Sequence, residues 1–255
     1  MGGRLEHPSP VPKRKNSTDS SRDYTTYLTL STTRLQSSQQ AGEVYYKPTN
    51  LSHASIRVLA RVSGAPGAVA GIFTYCNDTT ESDIEILSRD PATSIHYSNQ
   101  PTTTGSGATV PGSTWNASMP SGASWTSWNV HRLDWIPGRS AWYVNGVQMA
   151  ITTVNVPRTP SAFILNMWGN GNAWSGVMDV GAGAELQIQW VEMAFNVSGQ
   201  AATTSASNSN AVVCSVDKVV GTPMAAEGAV TIWAYGTSLM WLSLWLTTCM
   251  SLPNA

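Results

Sequence analysis

The stretch Trp128-Asn-Val-His-Arg-Leu-Asp-Trp-Ile-Pro-Gly-Arg-Ser-Ala-Trp-Tyr-Val-Asn-Gly-Val-Gln-Met-Ala-Ile151 carries two turn signals between apolar runs too short for helices. As a strand, its first part places Trp128, Val130, Arg132 and Asp134 on one face and Asn129, His131, Leu133 and Trp135 on the other. Pro137-Gly138 then turns the chain. Ala141 to Val144 and Val147 to Ile151 flank Asn145-Gly146, the pair best suited to a two-residue hairpin in which both central residues take positive φ. The stretch therefore predicts antiparallel strands joined by tight turns.

The same texture extends in both directions. Tyr27 to Ser31, His53 to Val62 and Ala68 to Tyr75 are rich in β-branched, aromatic and threonine residues and are separated by Gly, Pro, Asn or Ser. Leu186-Gln-Ile-Gln-Trp190 alternates, and the phase then slips so that Val191, Met193 and Phe195 form the apolar set, which predicts a β-bulge near Trp190. No twelve-residue window holds a 3.6-residue period. The fold class expected is all-β, a two-sheet antiparallel β-sandwich.

Composition narrows the function. The 255 residues carry a formal net charge of −1 and only 11% charged side chains, so the clustered Lys and Arg of a nucleic-acid binder are missing. Eight of the 11 Trp lie between Trp115 and Trp190, and aromatic rings of this kind suit binding clefts as well as cores. Three Cys without a C-x-x-C pair support neither a zinc site nor a redox motif, and no metal or cofactor is expected; Cys76 and Cys214 could form one bridge. Asn-x-Ser/Thr sequons begin at Asn16, Asn50, Asn77, Asn116 and Asn196, the pattern of a secreted glycoprotein.

The ends read differently from the middle. Residues 1–23 are polar, predicted disordered, and hold no signal-peptide run, which suggests a start lost from this chain. Residues 199–228 read as a Ser/Thr/Ala-rich linker. Residues 229–250 form a mostly apolar, uncharged tail long enough to span a bilayer. A transmembrane anchor, a GPI-attachment signal, a buried helix and an out-of-frame tail all fit it. The missing Lys or Arg beyond it favours the GPI signal, with Gly221 or Ala225 as attachment residue. The domain itself is assigned to residues 24–198.

Within that domain Glu81-Ser-Asp-Ile-Glu85 lines three carboxyls along one face of a strand, with Ser82, Ile84 and Ile86 behind them. Crowded acids raise one another's pKa values. A retaining glycosidase uses such a pair, one ionised carboxylate as nucleophile and one protonated carboxyl as acid and then base. An exposed acidic edge fits the pentapeptide equally well, and a calcium site less well because the Gly- and Asp-rich loop is absent.

These residues together resemble glycoside hydrolase family 16, the laminarinase and lichenase-like enzymes with a concanavalin A-like jelly roll. Glu81-Ser-Asp-Ile-Glu85 is similar to the family's E-x-D-x-E strand. Gly64 to Phe73 resembles the strand leading into it, Trp128 to Trp135 with Ala141-Trp-Tyr-Val-Asn-Gly146 its paired strands and hairpin, and Phe163-Ile-Leu-Asn-Met-Trp168 with Trp174-Ser-Gly176 its N-x-W strand beside the cleft. By that resemblance Glu81 is the nucleophile, Asp83 the assisting acid and Glu85 the general acid/base. Asn166, Trp168, Trp174, His96 and Tyr97 are the expected substrate contacts, with Trp115 and Trp125 weaker ones of the same kind. Ser82 departs from an aliphatic position, Asn129 stands where many members have His, and the family's first strands should precede Tyr24, so one sheet is expected to lack an edge strand.

The resemblance implies a monomeric extracellular or surface-anchored enzyme, of fungal type, that hydrolyses β-glucan with a β-1,3 or mixed β-1,3/1,4 linkage. A wall transglycosylase using the same site, and a lectin-like module without turnover, remain as alternatives.

Overall fold

The computed structural model describes residues 26–199 and the backbone of residues 248–249. Thirteen strands are placed: β1 (Leu28–Thr33), β2 (Gly42–Tyr45), β3 (Leu51–Gly64), β4 (Val69–Asn77), β5 (Thr80–Leu87), β6 (Ser94–Asn99), β7 (Thr114–Ser118), β8 (Asn129–Ile136), β9 (Arg139–Val144), β10 (Val147–Thr152), β11 (Ala162–Trp168), β12 (Gly183–Val197) and β13 (Thr248–Cys249). They form two sheets, in the orders β1-β12-β3-β8-β9-β10 and β2-β11-β4-β5-β6-β7, with β13 added to β12. All pairings are antiparallel except that of β13 with β12. No described residue is helical. The all-β sandwich expected from the sequence is thus the fold.

The quoted stretch forms β8, β9 and β10. Asn145 and Gly146 take φ of 50° and 81° between β9 and β10, and Gly138 takes 70° after Pro137 between β8 and β9. Asn129, His131, Leu133 and Trp135 are the buried set on β8, with Leu133 against Ile56 and His131 against Val58 on β3. The expected bulge also forms, the β12 to β3 register stepping from Ile188↔Ala60 to Trp190↔Leu59 across Gln189. That inserted residue is why Leu186 and Ile188, and then Val191 and Met193, all reach the core.

The core lies between the sheets. Ile56, Val58, Leu133, Trp135, Trp142, Leu186 and Met193 from one sheet meet Ile72, Ile84, Ile86, Ile95, Tyr97, Leu165 and Met167 from the other. At about 1.5 to 3 kcal/mol for each large side chain removed from water, this burial outweighs propensity in holding the strands together. β1 edges one sheet beside β12, and β2 edges the other beside β11; the strands expected before Tyr24 would fall outside the described residues. Cys76 is free and exposed. Cys214, residues 1–23 for which disorder is expected from the sequence, and most of the linker and tail lie outside the described residues.

Candidate active site

Strand β5 sits inside its sheet, between β4 and β6. Ser82, Ile84 and Ile86 are buried on its core side, and Glu81, Asp83 and Glu85 share the other side. Opposite Glu85 the register brings Gly71 on β4 and His96 on β6; opposite Asp83 it brings Phe73 and Ser98. The row continues through Asn166 on β11, which pairs with Gly71, to Glu43 on β2. In the other direction it ends at Asn116 on β7. The six strands therefore present one continuous polar face with the acids near its centre.

Asp83 is 3% exposed, and Ser98 donates a hydrogen bond to it at 2.6 Å (Oγ to Oδ2). Burial, followed by the negative charges of Glu81 and Glu85, pushes the Asp83 carboxyl well above the ordinary range for aspartate. Glu81 is raised less, by burial, because its hydrogen bond with Asp83 works in the opposite direction. A protonated Asp83 donating to an ionised Glu81 satisfies both trends. Glu85 is pushed up to about 7, chiefly by burial and further by the charge of Glu81, while the indole N–H of Trp174 (3.4 Å to Oε1) holds it down. Both outer carboxyls of the strand are thus raised, Glu85 to about 7, while the hydrogen bond from Asp83 favours the ionised form of Glu81.

The remaining expected contacts divide by strand phase. Asn166 and Trp168 alternate with buried Leu165 and Met167 and so face the acids' side; Asn166 Nδ2 donates to Glu43 Oε2 at 3.3 Å. Trp174 stands 37% exposed on the loop after β11, with its ring 4.9 Å from that of His96. Tyr97 is a correction: it is fully buried, stacked on Trp142 with ring centroids 5.6 Å apart, and belongs to the core because it follows His96 by one residue. Trp115 is half-buried and packs on Trp142 at the margin of the core, and Trp125 is buried with its indole N–H bound to the Pro91 carbonyl.

Several residues of this face escaped the sequence. Glu43 and exposed Tyr45 come from β2, a four-residue strand with too few alternations to register as one. Ser98 shows only through the register. Gly71 lets the Asn166 side chain lie over the strand beside Glu85, since a Cβ there would be 2.5 Å from Asn166 Oδ1. Among the described residues no group of three or more His, Cys, Asp or Glu is arranged to hold a metal ion.

No family model matches the chain. A β-glucanase of Paenibacillus polymyxa is 27% identical over 159 residues, covering 60% of this chain and 63% of its own length. A β-glucanase of Brevibacillus brevis is 33% identical over 122 residues, 44% of each chain. The likeness to glycoside hydrolase family 16 holds. Among solved structures, a β-1,3-1,4-glucanase (lichenase) from a mouse hindgut metagenome overlays with a TM-score of 0.53 at 22% identity, covering 65% of this chain and 78% of its own. The Bacillus licheniformis β-glucanase gives 0.53 at 21%, covering 65% and 77%. These overlays establish the shared sandwich. The matched region spans less than two thirds of the Paenibacillus polymyxa relative, and the relatives matched in sequence are bacterial.

Proposed function

We propose that the domain is a retaining glycosidase that hydrolyses β-glucan. The observation that carries this reading is the row along β5: Glu81, Asp83 and Glu85 share one face, with Glu85 pushed up to about 7 and Glu81 taking from Asp83 a hydrogen bond that favours its ionised form. Glu81 attacks the anomeric carbon. The glycosidic C–O bond breaks as Glu85 passes its proton to the leaving oxygen, leaving a glycosyl ester on Glu81. Glu85, now ionised, takes a proton from water; the oxygen attacks the anomeric carbon, and Glu81 is released as carboxylate. Two inversions return the starting β configuration.

A β-glucan follows from the β-glucanases that the chain resembles and from a polar floor fringed by Trp168, Trp174 and Tyr45, whose rings offer area to the C–H faces of sugars. The domain is assigned to residues 24–198, followed by a linker and an apolar tail that anchors it at the surface through a GPI group or a membrane span. Its action is extracellular or at the wall, as a monomer. The sequon asparagines Asn50, Asn77, Asn116 and Asn196 are all exposed and suit that setting; Asn16 lies outside the described residues.

The test is release of reducing ends from laminarin and from mixed-linkage glucan, with the product anomer followed by NMR. Glu81→Gln and Glu85→Gln should each cost on the order of a thousandfold or more in kcat. Undiminished release by Glu81→Gln rejects the nucleophile. Transfer to a second sugar in place of free reducing ends would mark the same site as a transglycosylase, and binding without turnover would mark a lectin.

A further inference from the structure

The turn Ser88-Arg-Asp-Pro91 between β5 and β6 carries an acid that the mechanism above leaves idle. The backbone N–H of Asp90 binds the Leu87 carbonyl at 3.0 Å, which folds the turn back toward the sheet. Its Oδ2 then lies 2.7 Å from His96 Nε2. With the carboxylate as acceptor, the proton sits on Nε2. His96 is the β6 residue opposite Glu85, and its ring meets the Trp174 indole edge to face, centroids 4.9 Å apart at 70°.

The backbone of the Trp174 loop is fixed independently. Ser175 Oγ accepts from the N–H groups of Asn170 and Gly171, and Asn172 Oδ1 accepts from those of Trp174 and Ser175 at 2.9 Å each. The loop thus fixes where the side chain starts, and the His96 ring bears on where the indole comes to rest. That position decides whether its N–H meets Glu85.

We infer that Asp90 is a positioning residue for the proton donor: it fixes His96, whose ring holds the Trp174 indole with its N–H on Glu85. The inference rests on Glu85 being the acid/base. It makes the proton affinity of Glu85 depend on a side chain three contacts away.

The groups facing Glu85 are few. Glu81 and Asp83 share its strand, His96 and behind it Asp90 stand on the β6 side, and Gly71 on β4 contributes no side chain. Asn166 and then Glu43 lie beyond Gly71, and Arg89 packs near the end of the Trp174 loop, at Gly176. Two opposite signs follow. If Asp90 acted only as a negative charge, its removal would make Glu85 easier to ionise. If it acts through the indole N–H, its removal takes a donor from the ionised form and makes Glu85 harder to ionise.

The experiment follows the Glu85 carboxyl directly by 13C NMR titration of the full chain, assigned against Glu85→Gln, for Asp90→Ala, Trp174→Phe and the double variant. Both single variants should titrate higher by about half a pH unit or more, and the double variant no higher than Trp174→Phe alone. The alkaline limb of kcat on mixed-linkage glucan should move with them. His96→Leu provides a second route to the same shift should Asp90→Ala not fold. A Glu85 midpoint unchanged or lowered in Asp90→Ala, or unmoved in Trp174→Phe, overturns the inference. Glucan hydrolysis undiminished in Glu85→Gln overturns the acid/base assignment instead, and is read separately from the titration.

Discussion

Asp83 is the residue whose chemistry is least obvious from its type. A buried aspartate between two glutamates cannot share a third negative charge with them at reasonable cost, so it keeps its proton and spends it on Glu81. Only its hydrogen bond is then needed, and an amide supplies the same donor. Asp83→Asn should therefore retain most of the turnover, whereas Asp83→Ala should lose on the order of a hundredfold in kcat, the scale for one preorganised donor. Equal loss in both variants would mean that the Asp83 proton itself moves during the reaction. The alternation of Glu81, Asp83 and Glu85 was readable from the sequence because a strand's period is two. What could not be read was depth: nothing local says that Asp83 would be nearly inaccessible and Glu85 close to neutral, since both follow from neighbours on β4, β6 and the Trp174 loop.

At the scale of elements, the hairpin of β9 and β10 was the most legible. Asn145-Gly146 has little choice of turn, and Gly146 at φ 81° tolerates a side chain poorly. Gly146→Ala should cost about 1 to 2 kcal/mol and lower the thermal midpoint by a few degrees without changing kcat, because this hairpin belongs to the sheet that does not carry the acids. A matching loss of kcat would show that the two sheets are coupled more tightly than their separate surfaces suggest. The β12 bulge was equally legible, since a change of apolar phase has to be absorbed somewhere. β2 was not, because its four residues bury only one side chain partially on the core side, Val44, and its place is dictated by β11. The misplacement of Tyr97 has the same origin. A strand of six residues holding both a histidine and a tyrosine does not reveal which of them faces the cleft until its neighbours fix the phase.

Across the whole molecule, two opposing proton equilibria meet. His131 is fully buried between the sheets, and burial lowers its pKa to about 4 from an ordinary 6.5. The stability tied to its neutral form is present above pH 6.5 and lost as pH falls through about 4, a loss of roughly 3 kcal/mol. Glu85 runs the other way, from 4.5 to about 7: its contribution is full below 4.5 and is lost as pH rises through 7, by roughly the same amount. Over the shared window these slopes nearly cancel, and Glu81 and Asp83, both raised, tilt the balance toward mild acid. Replacing His131 with Leu should expose the carboxyl side alone. The thermal midpoint of His131→Leu should then fall more steeply between pH 5 and 7 than that of the starting protein, as followed by circular dichroism. A parallel pair of curves would mean that His131 does not titrate with folding.

The order of the strands also bears on how the molecule comes to exist. β12 lies between β1 and β3 in its sheet, yet it is made more than a hundred residues after β3 ends. While the intervening chain is synthesised, on the order of ten seconds at ordinary elongation rates, β1 and one edge of the more apolar strand β3 stay unpaired. In the cleft sheet β4, β5, β6 and β7 pair in series as they emerge, while β2 and the free edge of β4 wait for β11, which is made before β12. The half of the protein that carries the chemistry can therefore take shape first. The half that supports it remains open to capture by chaperones or by other nascent chains until Gly183 to Val197 arrives.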